Sequence, residues 1–194
     1  MADFSELRET PLRDELVFNG SLIDVARLEV SLPGGGTSLR EIVRHPGGAA
    51  VVPVEEDGMV TLVRQHRVAP DLMTLEIPAG KLEDPGEDPL LAARRELAEE
   101  AGLRARRVEW LTTMLPTPGY SNERLYLYLA TGLTPCETHL DADEFVDVVR
   151  MPLQEAVDRV LGGEIPDGKT ALALLLARDR LQTRREEFPG PTSI

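Results

Sequence analysis

The 194-residue sequence contains a single cysteine, Cys136. No internal disulfide can form, and no neighbouring ligand residues give it a metal-site spacing. The pattern fits a reducing compartment. Basic charge is also scarce: 21 Lys and Arg face 34 Asp and Glu, a formal net charge of −13. Nucleic acid and anionic membrane both require basic surface, so neither is expected as a partner. No apolar run reaches membrane-spanning length. The amino end, Met-Ala-Asp-Phe-Ser-Glu, has neither the basic nor the apolar region of a signal peptide. Together these absences give the expectation of a cytoplasmic protein with no membrane partner. No internal repeat is present. An anionic substrate would meet a repulsive overall field, which a metal ion and a few local arginines would have to overcome.

What is present is an ordinary globular composition, 42% hydrophobic and 28% charged, sufficient for one well-cored domain with or without a small appendage. Residues 1–14 are polar and read as loosely held. From Glu15 onward, short apolar alternations are broken by Asn19-Gly20, Pro33-Gly-Gly-Gly36 and Pro46-Gly47-Gly48. This predicts antiparallel hairpins, a leading β-unit over residues 1–45. Ala49–Val54 and Val60–Gln65, separated by Glu56-Asp57-Gly58, predict a second hairpin, apolar enough to lie centrally in a sheet. Further strands are predicted at 73–77, 108–114, 125–130 and 145–151, with helices at 152–161 and 170–182. The alternation implies an α/β domain over 46–187 with its sheet between helices. The tail 188–194 reads as flexible.

The most informative stretch runs from Gly80 to Leu103. Asp88 is a good N-cap, Pro89 suits the first helical position and Gly102 the left-handed residue after the last turn. At about 100° per residue, Leu90, Leu97 and Ala101 share one face while Glu96, Glu99 and Glu100 share the next. Like charges at i and i+4 cost a helix about 0.2–0.5 kcal/mol unless a cation intervenes. A hard divalent ion with oxygen ligands would supply that cation. An acidic run alone is more often a solvated helix face, and Arg95 can pair with Glu99. The full spacing favours chemistry: Gly80, Glu87, Arg95, Glu96, Leu97, Glu99, Glu100, Gly102 and Leu103 form a pattern that resembles the Nudix hydrolase signature. It departs by one extra residue between Gly80 and Glu87, in the turn Glu83-Asp84-Pro85-Gly86.

That resemblance implies the Nudix fold, an α/β/α sandwich around a mixed sheet, and hydrolysis of a nucleoside diphosphate linked to another group with Mg²⁺ or Mn²⁺. It implies Glu96, Glu99, Glu100 and the Ala79 carbonyl as metal ligands, with Arg95 as an orienting salt-bridge residue. Outside the signature, Arg64-Gln65-His66-Arg67, Leu75-Glu-Ile-Pro-Ala-Gly80 and Pro116-Thr-Pro-Gly-Tyr-Ser-Asn-Glu-Arg124 look like the ADP-ribose pyrophosphatases. Pro118 stands where that subfamily carries a marker proline. Taken alone, Arg67 reads as well as a surface arginine and Tyr120 as a sheet-edge aromatic. Within the motif, Arg64, Arg67, Pro118 and Tyr120 are expected to bind substrate, since a guanidinium fork suits phosphate. His66 and His139 have no nucleophile to serve and are read as non-catalytic.

The resemblance implies a glutamate acting as general base in the loop before the strand at 145. Here that loop is Leu140-Asp-Ala-Asp-Glu144. Ala142 occupies one family glutamate position, leaving Glu144 as the candidate base with Asp141 and Asp143 beside it. A plain acidic surface loop is the competing account. The subfamily likeness further implies ADP-ribose as substrate, AMP and ribose 5-phosphate as products, and a homodimer built through the leading β-unit. Other nucleoside diphosphate sugars, dinucleoside polyphosphates, and a non-hydrolysing ADP-ribose sensor are the alternatives.

Overall fold

A computed structural model describes residues 4–84, 86–140 and 144–187, with side chains in the last helix described through residue 183. The expected flexible tail and Asp141–Asp143 lie outside the described residues. Contacts divide the chain into two units: Met1–Gly47 with Leu115–Arg124, and Gly48–Met114 with Leu125–Ile194.

The first unit is a three-stranded antiparallel sheet of β1 (Thr10–Asn19), β2 (Asp24–Ser31) and β3 (Thr37–Arg44), in that order. The chain is therefore ordered from Thr10, earlier than its polarity suggested. Pairing of Thr10 with Ser31 and Asp14 with Leu28 recruits these residues. Ala26 and Val30 are buried, whereas every residue of β1 is exposed, including Leu12, Leu16, Val17 and Phe18. Segment 115–124 joins this unit along β3, where the Tyr120 carbonyl accepts from the Val43 amide at 2.7 Å and the Asn122 amide donates back to the Val43 carbonyl at 3.2 Å.

The second unit contains β4 (Gly48–Pro53), β5 (Met59–Arg67), β6 (Leu72–Glu76), β7 (Ala79–Lys81), α1 (Pro89–Ala101), β8 (Leu103–Met114), β9 (Leu125–Pro135), β10 (Asp147–Pro152), α2 (Leu153–Leu161) and α3 (Gly168–Glu187). One sheet is mixed, ordered β7-β4-β9-β8, with β4 and β9 parallel; the other is antiparallel, ordered β10-β5-β6. Strand periodicity explains the layers. Ala49 and Val51 of β4, with Tyr128 and Ala130 of β9, pack against Ala92, Ala93 and Leu97 of α1. Their neighbours Ala50, Val52, Leu127 and Leu129 pack on the opposite face with Ala156 and Val157 of α2 and Ala173, Leu174 and Ala177 of α3. Strands covered on both faces read as continuous apolar runs, as β4 does. The result is the expected α/β/α sandwich. Among the described residues, no helix is long and apolar enough to cross a membrane.

The second predicted hairpin is corrected. The two segments meet at one bridge, between Val54 just after β4 and Val60, around the turn at Gly58 (φ 83°). Beyond it they separate into different sheets, because both edges of β4 are taken by β7 and β9 and both edges of β5 by β10 and β6.

Candidate active site

The signature helix is capped as its sequence requires. The Asp88 side chain accepts from the Leu90 amide at 2.9 Å, and Gly102 closes the helix at φ 62°, ψ 35°. This phasing buries the apolar stripe and turns Glu96 and Glu100, 6% and 4% exposed, against β7. The Glu100 carboxylate accepts from the Ala79 amide at 3.0 Å, joining helix to strand. A Cβ on Gly80 would overlap the Glu96 carboxylate, so only glycine lets the backbone approach so closely.

Arg95 organises the rim. Its guanidinium donates to Glu96 at 2.6 Å, to Glu99 at 3.1 Å and to the Lys81 carbonyl at 3.2 Å, and lies 3.6 Å from Glu87. Glu87 in turn accepts from the Glu83 amide at 2.7 Å. The extra residue in the signature turn therefore leaves Glu87 within the Arg95 network.

Burial raises the Glu96 carboxyl to about 7; Arg95 opposes the rise, while Glu99 and Glu144 add to it. Burial also raises Glu100 to about 8, opposed by the Ala79 amide and reinforced by the charges of Glu96 and Glu144. Two adjacent buried carboxylates this poorly compensated are suited to a divalent cation, which would favour both charged forms. The donors are hard oxygens, as a Mg²⁺-type ion requires. Among the described residues no three Asp, Glu, His or Cys side chains already converge at metal-ligand spacing. Glu99 is instead engaged by Arg95. Two carboxylates with a backbone oxygen still fit an ion that completes its shell with waters and substrate oxygens.

The loop after β9 is tied to the end of α1: the Cys136 amide donates to the Gly102 carbonyl at 2.8 Å and the His139 amide to the Glu99 carbonyl at 3.3 Å. Glu144 emerges from this loop, and its charge reaches both Glu96 and Glu100. Asp141, Ala142 and Asp143 lie outside the described residues.

Arg67, at the end of β5, is not a simple exposed arginine. It grips Glu76 in a bidentate pair, Nε to Oε1 at 2.8 Å and Nη2 to Oε2 at 2.7 Å. Arg64 lies 3.5 Å from Asp147 across the β5–β10 pair and is half exposed. Pro118 and Tyr120 belong to the first unit, where Tyr120 is 55% exposed. His66 faces Asp71 at 3.1 Å.

The residues missed from the sequence are Glu76, Lys169 and Thr170. Glu76 is 1% exposed and also receives bonds from Thr74 Oγ1, at 2.6 Å, and Lys169 Nζ. Burial alone would raise its pKa; the Arg67 hydrogen bonds outweigh that, with the charge and hydrogen bond of Lys169 and the Thr74 hydroxyl, and bring it down to about 2. A carboxyl whose folded-state pKa is depressed stabilises the fold above its unfolded pKa, and that contribution fades as pH falls through the folded value. Denaturant titrations should therefore show wild type well above Glu76→Gln at pH 7, with the gap narrowing between about pH 4.5 and 2. A gap independent of pH would contradict the ion-pair account.

Residues 44–189 match the NUDIX domain family. The chain belongs to the Nudix family of metal-dependent hydrolases, and a divalent ion is the cofactor such enzymes share. Among curated proteins it is 41% identical to a methanol dehydrogenase activator of Bacillus methanolicus, covering 86% of this chain and 90% of that one. It is 39% identical to an ADP-ribose pyrophosphatase of Bacillus subtilis, covering 92% and 98%. A solved ADP compounds hydrolase superposes with a TM-score of 0.80 at 28% identity, covering 91% of this chain and 96% of that one.

Proposed function

We propose that this protein hydrolyses the pyrophosphate bond of ADP-ribose with Mg²⁺, water adding across the bond to give AMP and ribose 5-phosphate, and that Mn²⁺ can substitute. The observation that carries the reading is the buried Glu96 and Glu100 pair against the glycine-backed Ala79–Lys81 strand. Relatives named for ADP-ribose hydrolysis at 39% and 38% identity support the substrate.

In this reading Glu96, Glu100 and the Ala79 carbonyl hold the ion, with Glu99 as a further ligand. When bound, the ion neutralises phosphate oxygens and lowers the pKa of a water. Arg95 keeps Glu96 and Glu99 aligned. Arg67, Arg64, Pro118 and Tyr120 contact substrate, and Glu144 orients or deprotonates the attacking water. The protein works in the cytoplasm.

A panel of ADP-ribose, other nucleoside diphosphate sugars, NADH and diadenosine polyphosphates, assayed with and without Mg²⁺, tests the proposal. ADP-ribose should give the highest kcat/KM, with AMP released only when metal is present. A higher kcat/KM for another substrate would reassign the specificity. Binding of ADP-ribose without turnover of any substrate would make the protein a sensor.

The leading β-unit, residues 1–45, makes a homodimer in this proposal, since a three-stranded sheet with Leu12, Leu16, Val17 and Phe18 exposed buries little core of its own. Light scattering should give a dimer at micromolar concentration. Removal of residues 1–44 should leave monomer or aggregate. A stable full-length monomer would refute the assembly.

A further inference from the structure

The four residues leading into the metal-site strand are each fixed by a different partner. Glu76 is held through its side chain by Arg67 and Lys169. The Ile77 amide donates to Thr170 Oγ1 at 3.0 Å. The Pro78 carbonyl accepts from the Val51 amide at 3.0 Å, and the Ala79 amide donates to Glu100 at 3.0 Å. Two of these partners, Lys169 and Thr170, sit in the first turn of α3, on the opposite side of the sheet from α1. Asp167 organises that turn: its carboxylate accepts from the Thr170 amide at 3.0 Å and from Lys169 Nζ at 3.0 Å. Thr170 is wholly buried and Ile77 is 0% exposed, so no water can replace the bond between them.

We infer that the first turn of α3 is a positioning element for the catalytic centre, with Lys169 acting through Glu76 on Arg67 and Thr170 acting through the Ile77 amide on the Ala79 backbone. Neither residue is a catalytic residue. The inference rests on the reading that Ala79 is a metal ligand and Arg67 a substrate contact.

The physical argument is one of shared groups. Glu76 is the common acceptor of Arg67 and Lys169, with Thr74 completing its hydrogen bonds. Without Lys169 the buried carboxylate keeps only one cation and is free to turn with Arg67, so the guanidinium loses its fixed bearing. Ile77 lies two residues before Ala79. An Ile77 amide without its acceptor would be a buried unpaired donor, which is unfavourable, and the segment would shift to find a partner. That shift moves the backbone oxygen offered to the metal. The two arms therefore have different signatures, one in substrate binding and one in metal binding.

The test uses full-length protein carrying Lys169→Met, Lys169→Arg, Thr170→Val or Thr170→Ser, with Glu100→Gln as control. Mn²⁺ affinity is read without substrate by electron paramagnetic resonance, kcat and KM are read on ADP-ribose in saturating Mg²⁺, and melting temperature is recorded for each. Outer-shell partners of a metal site typically matter by about 10–100-fold. Thr170→Val should weaken Mn²⁺ binding by about tenfold, and Thr170→Ser should restore it. Lys169→Met should raise KM by about tenfold with a smaller effect on kcat, and Lys169→Arg should recover most of the loss. Should Lys169→Met fail to fold, Asp167→Asn loosens the same lysine from a more exposed position and should raise KM in the same direction. Lowered melting temperatures with unchanged Mn²⁺ affinity and KM would overturn the inference, because they mark a purely structural role. Mn²⁺ binding unaffected by Glu100→Gln would instead refute the metal-site reading beneath it.

Discussion

Glu100→Gln is expected to lower turnover of ADP-ribose by about 10³-fold or more while leaving the fold intact. The variant removes one charge from the ion's ligands, and charge stabilisation by a bound metal is worth several kcal/mol in the transition state, at 1.36 kcal/mol per tenfold. The glutamine oxygen can still accept from the Ala79 amide, the bond that ties α1 to the strand. Burial opposes charge at this position, so the metal-free variant should melt no lower than wild type. Glu96→Gln should behave similarly, though it also loosens Arg95. Added Mg²⁺ should raise the melting temperature of wild type and leave both variants unmoved. Turnover within tenfold of wild type at saturating Mg²⁺ would remove these residues from the metal site.

Glu144→Gln is expected to have the second largest effect, a fall in kcat of about 10²–10⁴-fold, the usual worth of a positioned general base. KM for ADP-ribose and affinity for Mn²⁺ should change little, because the lost contribution belongs to the transition state. Asp141→Asn and Asp143→Asn belong in the same experiment, since Ala142 stands at one expected glutamate position. A loss below about tenfold for Glu144→Gln would move the role to one of these aspartates or to the metal site itself.

The parts of the molecule legible in the sequence were those specified locally. Asp88, Pro89 and Gly102 mark the ends of α1 because capping is settled within one turn. The inward phase of Glu96 and Glu100 follows from the helical period. The pairing of β4 was not legible: Ala49–Val54, a short turn and Val60–Gln65 meet every local requirement for a hairpin, and only competition from β7, β9, β6 and β10 for strand edges separates them. Arg67 shows the same limit. Its sequence neighbours point to a phosphate contact, yet the carboxylate that fixes its direction is a buried glutamate nine residues away, supported by a lysine ninety-three residues from that glutamate. A local signal for the latter did exist. Asp167-Gly-Lys-Thr170 is a helix start with Asp167 as its cap, which puts the beginning of α3 at Gly168, ahead of the predicted start at 170.

The hydrogen bonds from the Cys136 amide to the Gly102 carbonyl and from the His139 amide to the Glu99 carbonyl fasten the start of the loop after β9 to the C-terminal end of α1, the helix that carries Glu96 and Glu100. The helix then serves as the anchor for the beginning of that loop. A small tilt of α1 on the sheet would carry Cys136 and His139 with it. Natural variation in loop length should follow the same division, tolerated after His139 and suppressed between the two tethers at Cys136 and His139.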